Sequence, residues 1–181
     1  FNNHWKSKRG RGNEKSRISI AKRLKYRILH EKNHRKDTHI IVLGDLNSSY
    51  TEEPMRTLNT TGDKKEMLGV SNNLLYNLWY EVPYDKRWES SFNGIRNTLS
   101  HILISDSLFK QYGFHYVDRS FYAAGQGGSE KDTLINVDGK PFRWQMKKLF
   151  SKVIHIGKGY SDHLPLVAKF EYTEKPRYTR Q

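Results

Sequence analysis

The stretch His39-Ile40-Ile41-Val42-Leu43-Gly44-Asp45-Leu46-Asn47-Ser48 constrains this chain more than any other. An unbroken apolar run leads into a glycine, and a carboxylate and a carboxamide follow two residues apart. A short apolar run closed by turn residues reads as a buried strand. Side chains alternate faces along a strand, so Asp45 and Asn47 can project the same way just past its end. Gly44 lets the backbone bend and a ligand approach closely. The same stretch also reads as an Asx turn that merely ends a strand. A functional reading therefore needs partners elsewhere.

The rest of the chain reads as strands alternating with a few helices. Residues 1–6 look like the end of a strand, followed by a basic loop over 7–12. A helix is expected over 14–33, with Asn13 as its N-cap and Ile18, Ala21, Leu24 and Ile28 at helical spacing. A short helix should start near Pro54, a residue suited to a first turn. Residues 62–73 read as irregular, and 74–80 fit a strand or a helix equally. A strand over 88–92 should turn at Asn93-Gly94, a good hairpin signal, with another strand over 98–105. One or two helical turns fit 107–112. Residues 122–159 look loop-rich, with Gly125, Gly127 and Gly128 and a turn at Asp138-Gly139, and a last strand fits 164–172. Together these elements predict a single α/β domain over residues 1–181 with mixed sheets.

Composition narrows the partners. Only 35% of the 181 residues are hydrophobic, and mean hydropathy is −0.86, so the 11 Tyr and 4 Trp must carry much of the burial. Thirty-two Lys and Arg against 19 acidic residues leave a net charge of +13. That excess favours an anionic partner, whether nucleic acid, a phosphorylated small molecule or an acidic membrane surface. Cysteine is absent, which excludes a disulfide framework and any thiolate metal site. No apolar run approaches the ~18 residues of a membrane span.

Two segments answer Asp45 and Asn47. Asp162-His163 immediately precedes the last strand, and His4 closes the first. All sit at strand termini, where loops gather and sites are built. Taken singly, His4 beside Trp5 reads as a packed or surface imidazole, and Ser161-Asp162 as a turn. Their joint occurrence is what points to a site.

At this point the chain resembles the endonuclease/exonuclease/phosphatase superfamily, with the deoxyribonuclease I-like fold. The matching pieces are Asn2-Asn3-His4, Gly44-Asp45-Leu46-Asn47, Asn97-Thr98-Leu99-Ser100-His101-Ile102-Leu103 and Tyr160-Ser161-Asp162-His163-Leu164-Pro165, in the family's order. The resemblance implies a two-sheet sandwich flanked by helices, here only its C-terminal portion, and hydrolysis of a phosphate ester with Mg²⁺ or Mn²⁺. By the same resemblance, His163 contacts the scissile phosphate and assists proton transfer, and Asp45 positions the attacking water or binds metal. Asn47 orients phosphate or water and contributes to the metal site, Asp162 supports the metal, and His4 donates to a phosphate oxygen. Oxygen ligands suit Mg²⁺ or Mn²⁺ more than zinc.

Two departures accompany the resemblance. The family's glutamate metal ligand belongs to an N-terminal half that should precede Phe1. Ser100 stands where the family carries an aspartate that pairs with the final histidine; a serine supplies a hydrogen bond but no charge. The expectation is thus a metal-dependent phosphodiesterase, foremost an endonuclease, with that carboxylate–histidine pair broken. The alternatives are a silent polyanion-binding module, or a phosphatase or phospholipid phosphodiesterase. A membrane-active relative should show an exposed apolar hairpin, and the 122–159 insert reads as too polar for one.

Overall fold

The computed structural model describes residues 1–10, 13–35, 38–69, 73–126 and 134–175. Its centre is a five-stranded mixed sheet in the order β1-β2-β7-β4-β3. The strands are β1 (Asn2–His4), β2 (Ile41–Asp45), β3 (Thr60–Thr61), β4 (Leu75–Asn77) and β7 (Ser100–Ile104). β1 runs parallel to β2, and β2 antiparallel to β7, pairing His4 with Asp45 and Asp45 with Ser100.

Alternation along these strands divides the interior into two cores. Val42, Leu75 and Leu103 turn to one face and pack with Ala21, Leu24 and Ile28 of helix α1 (Asn13–His34) and Met55 of α2 (Glu53–Thr57). Their immediate neighbours Tyr76 and Ile104 turn to the other face and pack with Trp79, Leu108, Tyr116, Phe121 and Leu164. That second layer is built from short antiparallel pairs. β5 (Ser90–Phe92) pairs with β6 (Ile95–Asn97), β9 (Tyr122–Ala123) with β12 (Leu166–Val167), and β8 (Gly113–Tyr116) with β13 (Phe170–Thr173). The fold is therefore helices, a main sheet, and a second layer of strands, as the sandwich reading expects.

Several local expectations change. Helix α1 begins at Asn13 itself, whose side-chain amide donates to the Arg9 carbonyl. Residues 62–73 are not wholly irregular. Asp63 accepts from the backbone N–H groups of Lys65 and Glu66 and starts α3 (Lys64–Leu68), a capping signal present in the sequence. The undecided 74–80 segment is both things: β4, then a 3₁₀ turn over Leu78–Glu81. The Asn93-Gly94 turn forms as expected, both residues at positive φ (49° and 80°). Gly127 and Gly128 lie outside the described residues.

The 122–159 insert departs most. It holds a two-stranded ribbon, β10 (Met146–Leu149) and β11 (Lys152–His155), in which every residue is exposed. At its tip Phe150 is 94% exposed, beside Leu149 and Val153 and flanked by Lys147, Lys148 and Lys152. The judgement that this insert is too polar for an exposed apolar hairpin is therefore corrected. Its lysines lower the mean hydropathy, yet the apolar side chains between them have no core to enter.

Candidate active site

The turn after β2 is held from three sides. The Trp5 N–H donates to the Asp45 carbonyl (2.8 Å), and the Leu46 N–H to the Leu99 carbonyl (2.9 Å). Buried His101 donates from Nε2 to the Ser48 carbonyl (2.7 Å) while its Nδ1 accepts from the Asn77 amide (3.1 Å). Burial pushes that imidazole down to about 4, so it stays neutral and keeps this tautomer. Arg17, buried on α1, donates from Nε to Ser48 Oγ (3.1 Å) and from Nη1 to the Lys6 carbonyl (3.3 Å). It thereby joins this turn to the basic loop that leaves β1.

Within the turn, Asn47 adopts φ +48°. Its backbone N–H donates to Asp45 Oδ1 (2.8 Å) and its side-chain amide to the Trp5 carbonyl (3.0 Å). The Asx turn and the functional reading thus coexist, because the turn fixes the carboxylate with Oδ2 facing the cleft. Gly44 serves a different purpose from the one expected. A Cβ on it, at φ +121°, would lie 2.0 Å from the Asn3 carbonyl oxygen. The close approach it permits is that of β1, not of a ligand.

His163 faces Asp45 from the second layer. Its Nε2 lies 4.0 Å from Asp45 Oδ2, and exposed His4 brings its own Nε2 to 3.6 Å from the same oxygen. Behind the ring, Nδ1 sits 3.1 Å from Glu89 Oε1 and 3.3 Å from Ser100 Oγ. Glu89 is fully buried and is held by the N–H groups of Leu99 (3.0 and 3.1 Å) and Ser100 (3.0 Å). Its carbonyl also accepts from the Leu164 N–H (2.7 Å), so one residue fixes both the backbone after His163 and the ring itself. The hydrogen bond that His163 Nδ1–H donates to Glu89 holds the imidazole above its ordinary range, against the opposing effect of burial.

Glu89 overturns the inference drawn from Ser100. The imidazole does not lack a carboxylate; one arrives from Glu89, the residue immediately before β5, and Ser100 contributes its N–H to that carboxylate. The sequence carried one signal, a glutamate next to Trp88 at the start of an otherwise neutral strand, since Glu is almost never fully buried unless paired. Arg17 and His101 were also missed, each disguised as a routine member of a basic helix or a strand.

Asp45, Asn47, Asp162, His163 and His4 all line one cleft of about 660 Å³. Lys8, Arg9 and Arg143 are also part of its wall, with Phe92, over whose ring the Arg9 guanidinium rests at 5.5 Å. Lys8 pairs with Glu52, and Arg143 lies 3.9 Å from Asp162 Oδ2. An anion entering here meets cations at the edge and an imidazole at the centre. The fit to a divalent metal is poorer. Asp45 Oδ1 is engaged by the Asn47 N–H and Asp162 Oδ2 faces Arg143, and among the described residues no three His, Cys, Asp or Glu side chains are disposed to hold an ion. These residues do not close a metal site by themselves.

Comparison with known proteins places the chain. The profile of the Endonuclease/Exonuclease/phosphatase family matches residues 1–172. Among solved structures, a family protein from Bacteroides thetaiotaomicron superposes with a TM-score of 0.51 at 13% identity, covering 100% of this chain and 51% of that one. A mannosyl-6-phosphatase from Bacteroides thetaiotaomicron VPI-5482 gives 0.49 at 13% identity, with 92% and 49% covered. A mutant beta toxin from Staphylococcus aureus with bound magnesium ions gives 0.46 at 15%, with 96% and 52% covered. The chain therefore spans about half the length of these structures. No curated protein gives a significant match.

Proposed function

Because the chain belongs to the endonuclease/exonuclease/phosphatase family, we propose that it hydrolyses phosphate esters, and phosphodiester bonds of nucleic acid in particular. The observation that carries this reading is the His163 imidazole, backed by buried Glu89 and aimed by Nε2 at the cleft beside Asp45. With Nδ1–H donated to Glu89, Nε2 is left to serve the substrate. Protonated, it stabilises charge gathering on a phosphate oxygen and donates a proton towards the leaving oxygen. Asp45 Oδ2 is placed to accept a proton from a water, its other oxygen being fixed by the Asn47 N–H. His4 supplies a further donor at the edge of the cleft. Mg²⁺ or Mn²⁺ supplies Lewis-acid stabilisation in this kind of chemistry. Asp45 and Asp162 are the residues that would contribute to holding it, and the set would need a ligand beyond the described residues.

The nucleic-acid reading is supported by the charge of +13 and by Lys8, Arg9 and Arg143 at the cleft, since phosphate contacts dominate such affinity. The test is cleavage of plasmid, single-stranded DNA and RNA by the full-length protein, with Mg²⁺ and with EDTA. Cleavage that is lost in His163→Ala and in EDTA is the expected result. Intact substrates under every condition, with binding retained, would leave a polyanion-binding module of the same fold.

A second reading has its own support. The ribbon β10–β11, with apolar Leu149, Phe150 and Val153 exposed among lysines, has the chemistry of a contact with an anionic bilayer. A phospholipid phosphodiesterase would use it. Sedimentation with anionic vesicles that is abolished by Phe150→Ser, together with indifference to DNA, would favour that reading over the nuclease.

A further inference from the structure

A second pocket adjoins the first, sharing Ser91, Arg143 and Asp162 with it. Its volume is about 340 Å³, and Lys140, Trp144 and Gln145 also line it. Arg143 forms the partition. Its guanidinium lies 4.8 Å above the Trp144 ring and 3.9 Å from Asp162, so it is reachable from both sides. A guanidinium stacked on an indole is a planar shelf that can hydrogen-bond a phosphate and lie against a base.

The pocket is fixed by backbone. Its loop is tied by the Tyr160 N–H to the Phe142 carbonyl (2.7 Å) and by the Gln145 N–H to the Lys158 carbonyl (2.9 Å). Gly159, at φ +79°, lets the turn at 157–160 rest on this loop; a Cβ there would lie 2.1 Å from the Arg143 carbonyl oxygen. Charge points the same way. From Gly139 to Ser161 the chain carries Lys140, Arg143, Lys147, Lys148, Lys152 and Lys158 and no acidic residue. Asp162, just beyond, is the one carboxylate lining the pocket among the described residues and is already beside Arg143.

We propose that this second pocket is a subsite for the adjacent phosphate and nucleoside of an extended nucleic-acid strand whose scissile phosphate occupies the first cleft. The proposal rests on the nuclease reading above. A substrate with one phosphate has no use for a second cationic, aromatic-walled pocket a single side chain away, whereas a strand presents a phosphate and a base at every step. Lys140 and Arg143 would take the phosphate, and the Arg143–Trp144 shelf the nucleoside.

The test compares the full chain with Lys140→Ala and Trp144→Ala, both outside the first cleft. Binding of labelled two- and four-nucleotide single-stranded DNA is followed by fluorescence anisotropy, and thymidine 5′-(p-nitrophenyl phosphate) serves as a one-phosphate substrate. The four-nucleotide strand should bind about ten-fold tighter than the two-nucleotide one, towards the low end for one stacked base. Either substitution should erase most of that advantage and leave hydrolysis of the small ester unchanged. Lys140→Ala should also lower the slope of log affinity against log salt by about 0.7. A length advantage that is absent from the native chain, or equal in native and variant chains, overturns the subsite, as does loss of small-ester hydrolysis in the variants. A length advantage that vanishes in the variants while no chain hydrolyses the ester supports the subsite and refutes the hydrolytic reading alone.

Discussion

Glu89→Gln is the sharpest probe of the site, because it changes one charge and almost no volume. With its oxygen in the place of Oε1, the glutamine still accepts from Leu99, Ser100 and His163 Nδ1, and its amide replaces Oε2 beside the Leu99 N–H, so the ring keeps an acceptor but loses the negative charge behind it. The bond to Nδ1 becomes a neutral one, and the charge-assisted bond, worth ~1.5–3 kcal/mol, is weakened accordingly. Applied to the transition state, that is about 10- to 100-fold in rate. The sign with pH follows from the raised His163 pKa. A group raised in the folded state gives stability below its unfolded value and loses it as pH rises through the folded one. Activity that needs the imidazolium falls over that same upper range, so Glu89→Gln should move the alkaline limb of kcat/KM to lower pH. NMR titration of the His163 ring should move with it. In a His163→Ala background the substitution should change the rate no further. An unmoved alkaline limb, or a rate loss that persists without His163, would refute this account of Glu89. Ser100→Asp extends the test. Beside intact Glu89 it adds a second, half-buried carboxylate next to the first and should destabilise without a gain in rate, whereas in Glu89→Gln it should restore part of the loss. A broken carboxylate–histidine pair, as expected from the sequence, would instead give a gain in the native background.

Other outcomes follow from the supports of the site. Gly44→Ala drives a Cβ into the Asn3 carbonyl at a strained φ and should cost about 2–4 kcal/mol in denaturant titration, with β1 and His4 displaced. Arg17→Ala should cost about 1–3 kcal/mol by freeing Ser48 and the Lys6 carbonyl, and should raise KM more than it lowers kcat, because the loop carrying Lys8 and Arg9 loosens. His101, held near 4 against an ordinary 6.5, is neutral in the folded chain while the unfolded chain takes up a proton. Stability should therefore fall on acidification between those values by on the order of 3 kcal/mol, and His101→Asn should flatten that slope in urea midpoints measured against pH.

How far the sequence spoke depended on whether a residue's role was local. The Gly44-Asp45-Leu46-Asn47 turn, the Asn93-Gly94 hairpin and the spacing of Ala21, Leu24 and Ile28 are properties of short windows, and the structure has them. Their common place at strand termini, joined by the family resemblance, supplied the grouping of Asp45, Asn47, Asp162, His163 and His4, which one window cannot. Glu89 escaped because its partner is 74 residues away and no period links them. The ribbon at 146–155 escaped for the opposite reason. Its lysines and apolar residues follow no period that gives a buried face, so it reads as loop until its two strands are seen to pair.

The Glu89–His163 contact also says something about the order in which this molecule assembles. Its two members are separated by 74 positions, and Ser100 and His163 by 63, so neither contact can form until distant parts of the chain have been brought together. Closing such loops is entropically costly and slow, whereas α1 and the β5–β6 hairpin need only near neighbours. A refolding chain should therefore regain helix and hairpin signals well before it regains the imidazole environment. In the interval it holds a glutamate destined for burial but still hydrated, a charge that resists closure of the second layer until the histidine and the two backbone donors arrive to receive it. The step that completes the site and the step that seals the fold are then the same event.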